Sequence, residues 1–467
     1  MPAFSRWQLW RQDTTTAVPS GPSAAQLLVG SFAVLVAAGT AGLLVLPGLY
    51  RGEPLGFVDA LFTAMSAVCV TGLIVVDTAT YFTPLGQAWI AILIQLGGLG
   101  ILTLATLVIT RLGWRMSLEW ERAGGGGETP LGRVRRSSVL GAVVRLTLSI
   151  EAVGALVLWL LWRERLGDLG AIWPAVFHAV SAFCNAGFST FSTSLVPFRS
   201  APLTLLAISG LIVLGGLGFL VLEELRLRLA GRGPRRLSLH TKLVLASTAF
   251  LLAGGLLLYF LFEARFDLRG MSRLDQLANA WFMSVTARTA GFNTVDYANA
   301  SNASLFLTLL LMIVGGSPGS AAGGLKTTSV VLLLLLLWNR LAGRAHTSVA
   351  GRTIPPETLE RAAGVVIAGI LLLAVFVFAL LIVELPAHGE LDRGHLMDLV
   401  FEAHSAFGTV GLTTGATPVL TPGGRLLVSL LMFVGRVGPL ALAASMVART
   451  GREGQDYRYA HENVVVG

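Results

Sequence analysis

Charge is what this chain has least of. Asp, Glu, Lys and Arg make up 13% of its 467 residues, about half the share usual in soluble domains. Six stretches, 14–50, 78–110, 200–222, 243–262, 297–325 and 362–383, contain none of the four. Each is long enough to cross ~30 Å of hydrocarbon as a helix. A soluble fold is thereby excluded, and a polytopic membrane protein is predicted. The first apolar run follows Arg6 and Arg11 and lacks a small-residue cleavage site, so it reads as a retained span. Lysine is nearly absent, with Lys242 and Lys326 its two copies. Cysteine is as scarce: Cys69 and Cys184 have no His or Asp beside them and make a poor metal site. The chain also lacks any nucleophile–base–orienter arrangement and any glycine-rich phosphate loop, so neither enzymatic chemistry nor an organic cofactor is expected.

Arginine is plentiful and clustered. One cluster runs from Arg111 to Arg136, a second from Arg226 to Lys242, a third from Arg340 to Arg361, and Arg449, Arg452 and Arg458 mark the tail. The intervening connections are poorer in arginine. The positive-inside rule then places both termini in the cytoplasm of a multi-pass protein in the cell membrane, among its lipids. The clusters therefore orient the chain, and no nucleic-acid partner is expected.

Set against these absences is a pattern that occurs four times: FTAMSAVCVTGL, FHAVSAFCNAGF, WFMSVTARTAGF and FEAHSAFGTVGL. Its glycines are Gly72, Gly187, Gly291 and Gly411, and an aromatic (Phe62, Phe177, Trp281, Phe401) stands ten residues before each. Cys69 and Cys184 occupy equivalent positions in two copies and are expected to point away from any common axis. The implied layout of each repeat is helix, short re-entrant helix, glycine turn, helix. The expected spans are 26–47, 57–68 and 85–110; 138–162, 171–183 and 201–225; 241–263, 275–286 and 303–338; and 361–384, 395–407 and 424–448. The fold is thus an all-α membrane protein of eight transmembrane and four re-entrant helices around a pseudo-fourfold pore. The segments are 1–25 before the first span, repeat 1 over 26–110, a basic loop 111–137, repeat 2 over 138–229, repeat 3 over 240–340, repeat 4 over 360–449 and a tail 450–467. The re-entrant segments are too short to span, and irregular backbone at membrane depth must be buried in protein or line a wet cavity.

Four such turns about one axis would offer rings of main-chain carbonyls, a means of replacing the water shell of a small cation. Glycine permits the dihedrals that aim successive carbonyls inward. The residues before it vary (Val70-Thr71, Asn185-Ala186, Thr289-Ala290, Thr409-Val410), as a site built from main chain allows. These eight residues and the four glycines that follow them are the candidate ion-binding filter.

A second motif recurs on the last helix of each repeat: Gly97-Gly98-Leu99-Gly100, Gly215-Gly216-Leu217-Gly218, Gly315-Gly316-Ser317-Pro318-Gly319 and Gly435-Arg436-Val437-Gly438. All four last helices are expected to weaken at one depth, for bending or for close packing. The third copy opens GGSPGSAAGGLKT (315–327), which cannot be a regular helix because proline removes a donor and blocks the preceding turn. It reads as a loop beneath the filter. Gly315, Gly316, Ser317, Pro318, Gly319, Ser320, Gly323, Gly324 and Lys326, with Arg436 at the equivalent depth, are the candidate gate. Cations at membrane depth are costly and usually functional. Loop carbonyls and the hydroxyls of Ser317 or Ser320 are the expected partners of Arg436.

At this point the chain resembles the Trk/Ktr/HKT superfamily of potassium transporters, specifically its KtrB-type subunits. The resemblance rests on AVCVTGL, AFCNAGFS, ARTAGFN, AFGTVGLT, the loop 315–327, Arg436 and the tail GREGQDYRYAHENVVVG. It implies K⁺ as the transported ion, Na⁺ as a stimulant, and a homodimer on a cytoplasmic nucleotide-binding ring of the RCK type. It further implies that the broken loop is a gate held shut by Arg436, and that the tail lies at the dimer interface. In plant relatives a serine at the first filter glycine goes with sodium preference, and Gly72 keeps the potassium type. A TrkH-type transporter or a less selective monovalent cation channel is the alternative. An alternating-access carrier fits the broken loop but does not need four glycine turns in register.

Other polar residues receive plainer readings. Glu151 is expected to bond to a neighbouring helix or to Arg145 rather than couple ions. His178, Glu402 and His404 should anchor the short helices. Asp77 and Asp296 either concentrate cations or cap turns. Arg288 must point away from the axis and act as a brace. The loop 111–136 is either a linker or a contact for the regulator.

Overall fold

The structure is a computed structural model that describes residues 24–111, 136–231, 236–388 and 393–438. The N-terminal segment, most of the loop 111–136 and the tail 450–467 lie outside the described residues. Four repeats follow one another. Their first helices are Ala24–Val45, Arg136–Leu166, Leu239–Glu263 and Pro356–His388. Their short helices are Phe57–Val68, Asp168–Phe183, Arg273–Thr286 and Arg393–Gly408. Their last helices begin at Pro84, Pro202, Asn302 and Pro422. Residues 25–45, 141–166, 239–263 and 356–385 are each apolar enough to cross a membrane unaided, with mean hydropathy between 1.8 and 3.3.

Local chemistry sets the boundaries. Ser238, Ser272, Ser301 and Thr421 each accept a main-chain N–H of the first turn that follows, the usual role of a hydroxyl at a helix start. Two of these caps are themselves held from the repeat's first helix. Fully buried Glu263 accepts from the Ser301 N–H and hydroxyl at 3.0 and 2.8 Å, and Glu384 accepts from the Thr421 hydroxyl at 2.7 Å. Proline starts three last helices, where its missing N–H costs nothing.

The last helices do not weaken alike. The first, Pro84–Arg111, runs unbroken through its glycines. The second is bent by 105° between Leu217 and Phe219, at Gly218 with φ 88°. The third stops at Ile313 and resumes as Thr327–Leu341, with the expected loop between. The fourth reaches Val437, where Gly438 has φ 91°. A residue with positive φ cannot continue a right-handed helix, so Gly218 and Gly438 end their helical segments, whereas the third helix stops ahead of its glycines.

What the glycines share is close approach. A methyl group built on Gly97 would lie 2.0 Å from the Val68 carbonyl oxygen, one on Gly215 1.8 Å from that of Phe183, and one on Gly435 2.0 Å from that of Phe407. Each carbonyl closes the short helix of its own repeat. Close packing is therefore the role of these glycines, and bending is confined to particular copies. Gly435→Val should lower the unfolding temperature of the detergent-solubilised protein, with a cost of at least the 1–3 kcal/mol usual for overpacking. Main-chain atoms cannot turn aside, so an unchanged unfolding temperature would refute this contact. A short hairpin, Ser348–Val349 with Arg352–Thr353, follows the third repeat and was not foreseen. Its turn, Ala350-Gly351, has φ 51° and 76°, as two-residue hairpins require.

The repeats close into a ring. Each last helix packs on its neighbour's short helix: first on second, second on third, third on fourth, and fourth on first. An ion pair between Arg425 and Asp59 ties the fourth repeat to the first.

Candidate functional site

The short helices end at the same place in the ring, and the chain reverses there through alternating dihedrals. Val70, Asn185, Thr289 and Thr409, each two residues before a motif glycine, have φ of 57°, 62°, 75° and 49°. The glycines themselves have φ of 94°, 70°, 80° and 93°. Positive φ at non-glycine residues is uncommon and marks a site where the surroundings enforce it. Hydrogen bonds do so here. Thr71 N–H donates to Ser66 O, Ala186 N–H to Ser181 O and Val410 N–H to Ser405 O, at 2.7–2.8 Å. The same serines hold the turn with their hydroxyls: Gly72 and Gly411 N–H donate to Ser66 and Ser405 Oγ, and Ser181 Oγ donates to Phe188 O.

The four turns face one another. A methyl group on Gly72 would stand 2.4 Å from the Ala186 carbonyl oxygen, and one on Gly187 2.9 Å from that of Ala290. One on Gly291 would stand 2.4 Å from the Val410 oxygen, and one on Gly411 2.1 Å from that of Thr71. Following these contacts returns to the starting repeat, so the glycines and the carbonyls before them encircle one axis. Asn185 joins two turns laterally: its amide donates to Ala182 O and Ile212 O and accepts from the Thr289 hydroxyl at 3.2 Å.

The third turn departs from the expected register. Its closing bond runs from Ala290 N–H to Thr286 O, spanning one residue fewer than in the other copies. The buried aromatic that matches Phe62, Phe177 and Phe401 is consequently Phe282, fully buried, whereas the expected Trp281 is partly exposed. The bulk of Trp281 masked the shift in the sequence, although the Ser-to-Thr offset at Thr286 signals it.

The flanking polar residues brace the turns. His178 bonds to Pro174 O and, at 2.9 Å, to Ser189 Oγ; Glu402, its counterpart in the fourth repeat, accepts from the Thr413 and Thr417 hydroxyls. His404 bonds to Val400 O. Asp77 and Asp296 accept from main-chain N–H groups two residues ahead and so cap turns. Glu151 meets the Gln95 amide at 3.2 Å and approaches Cys184 Sγ, so its partner is the neighbouring helix and not Arg145. Both cysteines are buried, and no group of three or more His, Cys, Asp or Glu that could hold a metal occurs among the described residues.

The loop 315–327 lies against the fourth turn: a methyl group on Gly323 would meet the Thr409 hydroxyl at 2.1 Å. Main-chain bonds fasten the loop on several sides. Gly315 N–H donates to Leu325 O and Thr327 N–H to Gly316 O, which closes the loop on itself. Ser317 and Ala321 N–H donate to Gly216 O and Gly215 O, and Gly319 O accepts from Phe219 N–H across the bend beside Gly218. A methyl on Gly218 would in turn meet Pro318 O at 2.7 Å. Gly324, with φ 65°, donates to Gly435 O.

Arg436 is 2% exposed and reaches two acceptors, Ala321 O on the loop and Gly97 O on the first repeat's last helix at 2.9 Å. The loop carbonyl was expected. The serine hydroxyls are not among its acceptors: Ser320 Oγ donates to Ser317 O, and Ser317 Oγ has no partner among the described residues. No side-chain signal points to Gly97 O, since every residue carries a carbonyl. Lys326 turns back on its own loop, with Nζ 2.6 Å from Ala322 O. Arg288 points away from the axis, as expected, and braces the loop: it donates to Gly315 O and Thr327 Oγ1.

Comparison with known proteins agrees with this architecture. The sequence model of the TrkH family, described as cation transport protein, matches residues 3–450. The chain is 36% identical over 455 residues to the potassium/sodium uptake protein NtpJ of Enterococcus hirae, covering 95% of this chain and 97% of that protein. It is 36% identical over 446 residues to the Ktr system potassium uptake protein B of Bacillus subtilis, covering 94% and 96%. The crystal structure of the potassium transporter TrkH from Vibrio parahaemolyticus superposes with a TM-score of 0.75 over 94% of this chain and 87% of that one. At 21% identity, that likeness speaks for the fold. The chain belongs to the TrkH family of cation transport proteins, as a KtrB-type member of the Trk/Ktr/HKT superfamily.

Proposed function

We propose that this chain takes up K⁺ across the cell membrane as the membrane subunit of a Ktr-type system. The observation that carries the proposal is the closed ring of glycines and the carbonyls of Thr71, Ala186, Ala290 and Val410. Oxygens so placed substitute for the waters a cation sheds on entry. Hydrogen-bonded turns and buried braces hold them there without demanding particular side chains. The loop 315–327 is the gate: it crosses beneath the fourth turn and is pinned by Arg436 to the first repeat. A cation fixed on the conduction path opposes a second one.

Names of the relatives support the ion, and the Ktr system name supports a soluble regulatory partner. On this reading the basic connections face the cytoplasm, two copies associate, and a nucleotide-binding ring docks below. Na⁺ stimulation accords with the potassium/sodium relative. Gly72→Ser decides the filter assignment. In a potassium-uptake-deficient host, the ratio of ⁸⁶Rb⁺ to ²²Na⁺ uptake should fall by about tenfold, the effect of roughly 1.4 kcal/mol of lost discrimination. An unaltered ratio in expressed protein would reject the assignment.

A further inference from the structure

The third repeat breaks the pattern of the others at one residue. Three positions before the motif glycine, the other copies carry Cys69, Cys184 and Gly408, and this copy carries Arg288. The same repeat has the interrupted last helix. Arg288 directly precedes Thr289, whose φ of 75° is the largest among the four residues two places before the motif glycines. Its side chain is 8% exposed and reaches away from the turn to Gly315 O and Thr327 Oγ1, both at 3.3 Å. These are the two ends of the glycine-rich loop, and Thr327 Oγ1 itself donates to Gly315 O at 2.8 Å. Among the described residues Arg288 has no carboxylate partner, and its Nε has no acceptor. A buried guanidinium without a counter-ion depends strongly on the few acceptors it has.

Packing around it leaves space for about one water molecule. A cavity of about 20 Å³ lies at the junction of Arg288, Asn185, Gly216 and Gly316. It touches the second and third turns, the second repeat's last helix and the loop together. Elsewhere such interiors are close-packed and resist change.

We propose that Arg288 is a positioning residue that links the third filter turn to the gate, so that ion occupancy and loop position form one coupled equilibrium. This rests on the gate and filter readings above. When the loop leaves, Gly315 O and Thr327 Oγ1 leave with it. The guanidinium then re-aims, and Thr289 is released from the constraint that helps hold the next carbonyl, that of Ala290, in the ring. Linkage makes the effect reciprocal: an ion bound at the ring biases the loop as much as the loop biases ion binding.

The test is a double-mutant comparison on the full-length protein. Equilibrium Rb⁺ affinity is measured by titration calorimetry in detergent, and ⁸⁶Rb⁺ flux in proteoliposomes. Arg436→Ala, which frees the loop, should raise flux and change Rb⁺ affinity by about fivefold or more, the low end of ordinary couplings. In an Arg288→Gln background the same change should alter affinity less than about twofold. Arg288→Lys retains the charge with one donor head and should give an intermediate shift. If Arg288→Gln fails to fold, Thr327→Val removes one acceptor and should also shrink the shift. A shift that persists undiminished in these backgrounds overturns the proposal. Raised flux with no change in Rb⁺ affinity overturns the coupling and leaves the gate standing. No rise in flux removes the gate, and the coupling with it.

Discussion

Gly411→Ala is expected to lower ⁸⁶Rb⁺ flux by more than about a hundredfold while the protein still elutes as a folded species, roughly 2.7 kcal/mol at the conduction step. Two independent features of the site lead there. Gly411 has φ 93°, a conformation that costs a residue with a Cβ on the order of 1–2 kcal/mol. The added methyl would also stand 2.1 Å from the Thr71 carbonyl oxygen and 3.1 Å from Gly72 Cα. Both are main-chain atoms of the first repeat, so no side-chain rotation relieves the contact. The turn must widen, and the oxygens proposed to replace an ion's hydration are displaced together. Stability should suffer less than flux, because Phe401, Phe407 and Leu412 remain buried around the turn. Folded protein with undiminished flux would show that conduction does not pass through this ring.

The second large effect has the opposite sign. Arg436→Ala, or deletion of about half of 315–324, is expected to raise K⁺ flux tenfold or more and to reduce dependence on the regulatory partner. A fixed positive charge about 6 Å from a passing cation opposes it by roughly 3 kcal/mol at an effective dielectric of 20. Removing the side chain also releases two fastenings, Ala321 O on the loop and Gly97 O on the first repeat. The loop retains its bonds to Gly215, Gly216 and Gly435, so it should loosen without unfolding. Deletion removes several of those bonds as well and should have the larger effect. Measurement in proteoliposomes, with and without the proposed regulatory partner, separates the barrier from its control. Folded variants whose flux falls or stays level would mean that the loop does not obstruct the path.

Much of this arrangement was legible beforehand because two kinds of information lie on the surface of the sequence. Uncharged runs report hydrocarbon burial directly, and they placed the first helices of the first, third and fourth repeats to within about five residues. Glycine reports a backbone that no other residue adopts cheaply, which is why Gly72, Gly187, Gly291 and Gly411 all have positive φ. The proline within 315–319 likewise announced the interruption between Ile313 and Thr327. Other features gave no such notice. The 105° bend beside Gly218 follows a motif whose counterpart in the first repeat, Gly97–Gly100, stays helical. The difference lies in the loop carbonyl of Gly319, which takes the Phe219 N–H in the second repeat. The one-residue shift of the third turn was hidden for a related reason: Trp281 and Phe282 are both aromatic, and burial chooses between them.

By itself the sequence determined that this protein lives in a membrane, that it is built of four like units, and which glycines turn the chain within each. Composition and local backbone preference suffice for that, since each acts over a few residues. The tertiary structure decided which carbonyl faces which glycine, that Gly97 receives Arg436, and that Arg288 joins a turn to the loop. Main-chain oxygens are chemically identical along the chain. Their pairing is set by the closure of four helices around an axis, over separations that no local pattern encodes.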